Sequence, residues 1–188
     1  IADTFSRQTI QLVAECVLLN KDNWLQQLKT HTVDALLIES AWDGNDGSWH
    51  RAIGYYSEAE FAQTRALIAH CQQHGIPVLF WNKEDPVHFE RFNTVATLAN
   101  HVFTSDAGCI IDYLARSKNG ASVSSAGFFA APQIHNPLPP DREWQHTIAF
   151  AGTYYAQRYS ERSKVLDIMF STAAPVGLTI YDRQYNFP

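Results

Sequence analysis

The chain has 188 residues and a formal net charge of −5, from 14 Lys and Arg against 19 Asp and Glu. Its charges are spread along the sequence, so it lacks the clustered cations of a nucleic-acid-binding or anionic-membrane surface. No apolar run approaches the roughly 20 residues of a membrane-spanning helix, and no signal peptide opens the sequence. Its three separated cysteines have no C-x-x-C spacing. These features predict a cytoplasmic protein that binds no nucleic acid and crosses no membrane.

The N-terminal segment has an irregular pattern. Ile1–Ser6 is typical of the end of a strand entering a loop, and Cys16–Leu19 of a short apolar strand. Lys21–His31 is amphipathic with Asp22 near its start, which predicts a helix capped by that side chain.

From residue 33 onward, apolar strand patterns alternate with amphipathic helix patterns. The predicted strands are Val33–Ser40, Ile76–Asn82, His101–Ser105 and Ala121–Pro132. The predicted helices are Glu58–Gly75, Val87–Asn100 and Asp106–Ser117. Such alternation with short connections favours right-handed βαβ units. The sequence therefore predicts an α/β fold with a Rossmann-like parallel sheet and helices on both faces.

A proline-rich segment interrupts this pattern. Residues 137–145 contain three prolines, which predicts a stiff linker between a first domain, residues 1–136, and a second segment, residues 146–188. The second segment contains a strand pattern, a helix pattern with Ser160 as its cap, and a further strand pattern. Because one βαβ unit cannot bury its own sheet faces, we expect this segment to be the beginning of a truncated second domain.

Polar and aromatic residues follow four of the predicted strands. In open parallel sheets, ligands bind beyond the carboxyl ends of the strands. The segments that follow the strands are ESAWDGNDGSW (Glu39–Trp49), WNKEDPVH (Trp81–His88), TSD (Thr104–Asp106) and AGTYYAQRY (Ala151–Tyr159). We therefore expect a ligand site at this edge of the sheet.

The first segment has the composition of a sugar-binding loop. Trp42 or Trp49 could stack on a sugar ring while Glu39 or Asp43 binds a hydroxyl group. The alternative is a surface loop with incidental tryptophans.

The second segment combines an amine, two carboxylates and an imidazole. Lys83 could bind a phosphate, and Glu84, Asp85 or His88 could act as a general base. The alternative is structural, with Asp85 capping the next helix and Pro86 at its first position. A metal site built from the same acids and histidine has no second histidine cluster to support it.

The fourth segment places Gly152 between a strand and a helix. Such a turn lets backbone N–H groups approach an anion. Arg158, Arg162 and Lys164 add positive charge nearby, although a solvated helix face would have the same composition.

Four blocks of the sequence resemble the spore-maturation CgeB-like glycosyltransferases. They are LLIESAWDGNDGSWHRAI, GIPVLFWNKEDPVHFERF, VFTSDAGCIIDYL and IAFAGTYYAQRYSERSKVLDIM with the later IYDRQYN. The resemblance covers nearly the whole chain, and FWNKEDPVHF is its longest specific block. It implies a GT-B fold, in which two Rossmann-like domains hold the acceptor on the N-terminal side and the activated sugar on the C-terminal side.

The resemblance also implies roles for individual residues. The substrate-binding residues would be Glu39, Trp42, Trp49, Trp81, Asn82, Lys83 and Asp106. The base would be one of Glu84, Asp85 and His88, and the donor phosphates would lie against Gly152, Thr153, Tyr154 and Arg158. The implied partners are a nucleotide-sugar donor and a glycan or lipid-linked acceptor, with neither cofactor nor metal. Alanine at Lys83 or Glu84 is then expected to reduce turnover and to leave the melting temperature almost unchanged.

Two other functions remain to be compared with this one. A sugar- or nucleotide-binding α/β module without catalysis would have the same loops. A receiver-like signalling domain is disfavoured because it needs several Asp residues clustered at early strand ends, and the sequence offers only Asp3 and Asp34.

Overall fold

A four-stranded parallel sheet organises the N-terminal part of the chain. The structure, a computed structural model, describes residues 1–117, 119–136 and 148–182. The strands lie in the order β1 (Leu36–Glu39), β2 (Val78–Asn82), β3 (His101–Thr104) and β4 (Ser122–Ser125). Every neighbouring pair is parallel. The predicted Rossmann-like α/β fold, a parallel sheet flanked by helices, is therefore confirmed.

Five α-helices accompany this sheet in the described part of residues 1–136. They are α1 (Thr4–Ile10), α2 (Trp24–Thr30), α3 (Glu58–Gln73), α4 (Phe89–Ala96) and α5 (Ile110–Arg116). Helix α3 follows the predicted pattern closely. Its start is capped by Ser57, whose hydroxyl accepts from the Glu60 N–H at 3.3 Å. After α3 the chain turns at Gly75, where φ is 72°, a value that favours glycine.

Alternate residues of the strands build the core. Ile38, Val78, Phe80 and Val102 are buried against helix residues such as Phe92. The residues between them on the strands include Leu37, Leu79 and Phe103, which are only half-buried. One face of the sheet therefore lies in the main hydrophobic core.

The N-terminal segment differs from its prediction. Asp3 accepts from the Ser6 N–H at 2.8 Å and so caps α1, where a loop was expected. Cys16–Leu19, predicted to be a strand, has no regular secondary structure, and its Leu19 carbonyl accepts from side chains, at 2.8 Å from Asn45 Nδ2 and 2.7 Å from Trp49 Nε1.

Several predicted boundaries also move. Helix α2 begins after Asn23 with no side-chain cap, so the predicted cap at Asp22 is wrong. Helix α6 (Ser160–Ala173) includes Ser160 as its first residue, and the capping position is Tyr159. The predicted helix at Asp106–Ser117 begins with a 3₁₀ turn, Ala107–Cys109, before α5. The last predicted strand shortens to β4 because the residues after it leave the sheet.

The chain divides into two compact units, Ile1–Asn136 and Pro137–Pro188. In the second unit, β5 (Ile148–Gly152) and β6 (Leu178–Asp182) pair in parallel. Helix α6 (Ser160–Ala173) connects them. The linker predicted at residues 137–145 lies outside the described residues.

None of the helices in the described ranges is long and apolar enough to cross a membrane.

Candidate functional site

The carboxyl ends of β1, β2 and β3 meet at one edge of the sheet. Glu39 pairs with Trp81 in register, and Asn82 pairs with Thr104. The backbone N–H of Lys83 donates to Ser40 Oγ at 2.8 Å, which joins the loops that follow β1 and β2. The parallel register thus brings the first three predicted segments together.

A buried charge cluster lies at the β1–β2 side of this edge. The Lys83 ammonium forms an ion pair with Glu39 and donates to Asp3 Oδ2 at 2.8 Å and to Ser6 Oγ at 2.9 Å. The Lys83 side chain is 8% exposed and that of Glu39 only 1%. Lys83 therefore connects the start of α1 to two strands, and its amine already has three protein partners.

Burial and pairing act in opposite directions on the pKa values of this cluster. Burial raises the pKa of Glu39 to about 7, although the Lys83 ammonium opposes the shift. For Lys83, burial lowers the pKa, but the bonds to Asp3 and Glu39 outweigh it and leave the pKa raised. For Asp3, burial raises the pKa and the bonds from Lys83 and the Ser6 backbone leave it lowered. The Lys83 amine is therefore charged at neutral pH, and the Glu39 carboxyl titrates near neutral pH.

A second carboxylate, Asp85, is held by neutral donors. It accepts from Asn82 Nδ2 at 2.7 Å, Thr104 Oγ1 at 2.6 Å and Tyr113 OH at 2.9 Å. Burial raises the pKa of Asp85, and the bonds from Thr104 and Tyr113 act against that rise. Asp85 joins β2, β3 and α5, and these bonds already use its two oxygens.

The predicted capping role of Asp85 is wrong. Helix α4 begins at Phe89 with His88 at the capping position, and no side chain bonds its first turn. Asp85 lies one turn earlier and points into the network just described. Pro86 accordingly does not begin the helix.

Trp42, His88 and Glu84 form the accessible part of the edge. The Trp42 ring contacts the His88 ring edge-on, with 5.0 Å between centroids, and packs at 5.2 Å against Phe92 of α4. Trp42 is 38% exposed. His88 Nε2 lies 3.8 Å from Glu84 Oε2, and both side chains are about one-third exposed. An aromatic ring, an imidazole and a carboxylate thus face solvent together, an arrangement suited to binding a sugar and removing a hydroxyl proton.

Several predicted substrate-binding residues are inaccessible. Trp49 is fully buried in the core, so the prediction that it stacks on a sugar is wrong. Asn82 is also fully buried and bonded to Asp85 and Tyr113.

Trp81 is 7% exposed and lies under Phe129, whose ring stacks on it at 5.6 Å. Glu39, described above, is fully enclosed. None of the four can contact a ligand in this arrangement.

Asp106 remains partly exposed beside the Asp85 network. Its carboxylate accepts from the Gly108 N–H at 2.8 Å and so caps the 3₁₀ turn before α5.

The residues predicted to bind the donor phosphates lie in the second unit. Gly152 is the last residue of β5, and a 3₁₀ turn separates it from α6. It therefore does not adjoin the N-terminus of an α-helix, as the sequence suggested. Thr153 is buried, and Tyr154 donates to Asp167 Oδ1 at 2.8 Å. Arg158 is exposed, and its guanidinium lies 5.6 Å from the Tyr159 ring centroid.

Within residues 1–117, 119–136 and 148–182, no group of three or more His, Cys, Asp or Glu residues is arranged to hold a metal ion.

Three residues of this edge were not identified from the sequence. Asp3 and Ser6 were assigned to a loop, although the Asp-x-x-Ser spacing is compatible with a helix start. Tyr113 falls within the helix predicted at Asp106–Ser117, and no local signal indicates that its hydroxyl reaches Asp85. Such long-range contacts depend on how the strands are arranged.

No family model, curated protein or solved structure matches this chain. The resemblance to CgeB-like glycosyltransferases therefore stays a prediction.

Proposed function

We propose that this chain belongs to a GT-B glycosyltransferase that moves a sugar from a nucleotide-activated donor to a hydroxyl of a surface glycan or lipid-linked acceptor. One observation carries the proposal: exposed Trp42 lies beside the Glu84–His88 pair at the carboxyl edge of a parallel sheet. Ligands of such sheets bind at this edge. The first unit is then the acceptor side.

The proposed chemistry follows from these three side chains. Trp42 stacks on a face of the acceptor sugar, and His88 takes the proton from the attacking hydroxyl while Glu84 stabilises the resulting imidazolium. The oxygen forms a bond to the anomeric carbon as the bond to the nucleoside diphosphate breaks. The second unit would hold that leaving group, with the exposed Arg158 as its cation. Glu39, Lys83 and Asp85 act by holding the edge in place.

Donor turnover tests the proposal directly. The purified chain is incubated with UDP- and GDP-sugars, with and without saccharide acceptors, and released nucleoside diphosphate is measured. We expect release that His88→Ala abolishes and that Arg65→Ala, on the exposed side of α3, leaves unchanged. Equal rates in the two variants would contradict the proposal.

A non-catalytic saccharide-binding module is the second candidate. It is favoured by one observation: Glu39, Lys83 and Asp85 are already bonded within the protein. Saccharide binding that needs Trp42 but occurs without donor turnover would support this candidate. The matched control is Phe5→Ala, which removes another exposed aromatic ring.

A further inference from the structure

An open depression lies next to His88, between the start of α4 and α5. Its volume is about 560 Å³. The polar residues that line it include Tyr55, His88, Glu90, Arg91, Asp112 and Arg116. The depression is large enough for a monosaccharide. Its His88 also belongs to the accessible part of the sheet edge, beside Trp42 and Glu84.

The two arginines of the depression differ in their partners. Arg116 donates to both carboxylate oxygens of Glu90, each at 2.7 Å, so its charge is compensated. Arg91 forms no ion pair with any residue in the described part of the chain; its Nη1 donates to the Tyr55 carbonyl at 2.5 Å. Arg91 therefore carries an uncompensated positive charge at the wall of the depression.

An aromatic ring fixes the Arg91 guanidinium in place. Its Cζ lies 4.1 Å from the Tyr56 ring centroid, and the Arg51 Cζ lies 4.0 Å from the same centroid. Arg51 is paired with Glu60 at 2.8 Å. Stacking leaves the N–H edge of a guanidinium available for a planar anion and reduces the entropy lost on binding. Arg91 is thus already oriented for a carboxylate or phosphate.

The part of α5 that lines the depression presents an acceptor. Asp112 is exposed at the start of α5 and forms no ion pair among the described residues. A carboxylate accepts hydrogen bonds from sugar hydroxyls. The depression therefore matches a ligand with an acidic group at one end and hydroxyls at the other.

We propose that this depression binds an acidic saccharide, with its carboxylate or phosphate on Arg91 and its hydroxyls toward Asp112. The inference deepens the proposed function, because an acidic residue of the acceptor would then lie next to His88. Binding at Arg91 can nevertheless be measured without donor or transfer.

Calorimetric titration of the purified chain at low salt tests the inference. The probes are glucuronate, glucose 6-phosphate and glucose, which separate a carboxylate, a phosphate and a neutral sugar. We expect at least one acidic sugar to bind more tightly than glucose, and Arg91→Gln to weaken that binding roughly ten- to hundredfold. Lys29→Gln, which removes an exposed charge on α2, should leave it unchanged.

Each outcome decides the proposal. Acidic sugars that bind no better than glucose, or equal affinities in Arg91→Gln and Lys29→Gln, overturn it. Arg91→Lys keeps the charge without the planar fork, and it decides the matter if Arg91→Gln fails to fold: affinity must fall, and wild-type affinity overturns the proposal. If the chain binds an acidic sugar through Arg91 but does not turn over a nucleotide sugar, only the proposed function is overturned. If it turns over a nucleotide sugar but does not bind an acidic sugar, only this inference is overturned.

Discussion

Two carboxylates at the same sheet edge are stabilised in different ways. Glu39 faces an ammonium group, whereas Asp85 is surrounded by a hydroxyl, a phenol and an amide. Forming a buried ion pair requires the desolvation of both partners, which their mutual attraction offsets. Removing one partner leaves the other as an uncompensated buried charge, which is strongly destabilising. A carboxylate held by neutral donors loses one bond at a time. The Glu39 region therefore depends on a single residue, Lys83, and the Asp85 region on several.

The largest expected effect is that of Lys83→Met. It leaves Glu39 and Asp3 without their cation, and we expect the free energy of unfolding at neutral pH to fall by about 3–5 kcal/mol. Denaturant unfolding measures the change. The double variant Glu39→Gln with Lys83→Met should recover part of the loss. Equal losses in the single and double variants would show that the charge pair is not the cause.

This expectation revises the one drawn from the sequence. Alanine at Lys83 was expected to leave the melting temperature almost unchanged. Because the Lys83 side chain is buried and has three partners, its loss should also lower stability. Reduced turnover in such a variant would therefore not by itself identify a catalytic amine.

Asp85→Asn should have a smaller effect. The new amide presents hydrogens to the hydroxyls of Thr104 and Tyr113, and we expect a loss of about 1–3 kcal/mol in the free energy of unfolding. Tyr113→Phe removes one donor to Asp85 and one acceptor of the Asn82 amide but keeps the carboxylate, and it should cost about 1 kcal/mol. Both are measured by denaturant unfolding. A loss for Asp85→Asn as large as that for Lys83→Met would remove the distinction between the two regions.

The pH dependence of stability tests the Glu39 region. Because the folded-state pKa of Glu39 is raised from 4.5 to about 7, the folded protein binds a proton more tightly than the unfolded chain between those values. Stability contributed by Glu39 is therefore full below the lower value and is lost as the pH rises through the upper one. Between pH 4.5 and about 6, denaturant midpoints should decline in the wild type and decline less in Glu39→Gln; above that pH the lowered pKa of the Ile1 amine acts in the opposite direction in both proteins. Matching profiles would contradict the assignment.

The smallest expected effect belongs to Glu84→Gln. This carboxylate is one-third exposed and 3.8 Å from its imidazole partner, so stability should change by only about 0.5 kcal/mol. Turnover of a nucleotide sugar should nevertheless fall clearly, since Glu84 stabilises the His88 imidazolium in the proposed mechanism. Thermal melting measures the change in stability, and release of nucleoside diphosphate measures the change in turnover. A variant with full turnover would remove Glu84 from the mechanism.

The sequence predicted the sheet and α3 well because both follow from apolar periodicity and local capping. It predicted that the first three polar segments meet at the strand ends, since parallel strands bring those ends together. The fourth segment, Ala151–Tyr159, follows β5 in a separate two-stranded sheet, so the expectation that all four share one sheet edge is wrong. The sequence failed for Trp49 and Asn82, because residue type does not reveal whether a loop side chain turns into the core. It also assigned Asp85 to a cap, since the neutral donors that hold it come from distant positions, Thr104 and Tyr113.

The contrast among the tryptophans has a practical consequence for spectroscopy. Trp24, Trp49 and Trp81 are each less than one-tenth exposed, whereas Trp42 is 38% exposed. Among these four indoles, Trp42 should emit at the longest wavelength and should be the one reached by an aqueous quencher such as iodide. A saccharide stacked on its ring would shift that emission to shorter wavelength and shield it from the quencher. The side chain proposed to bind the sugar thus also serves as an optical reporter of binding.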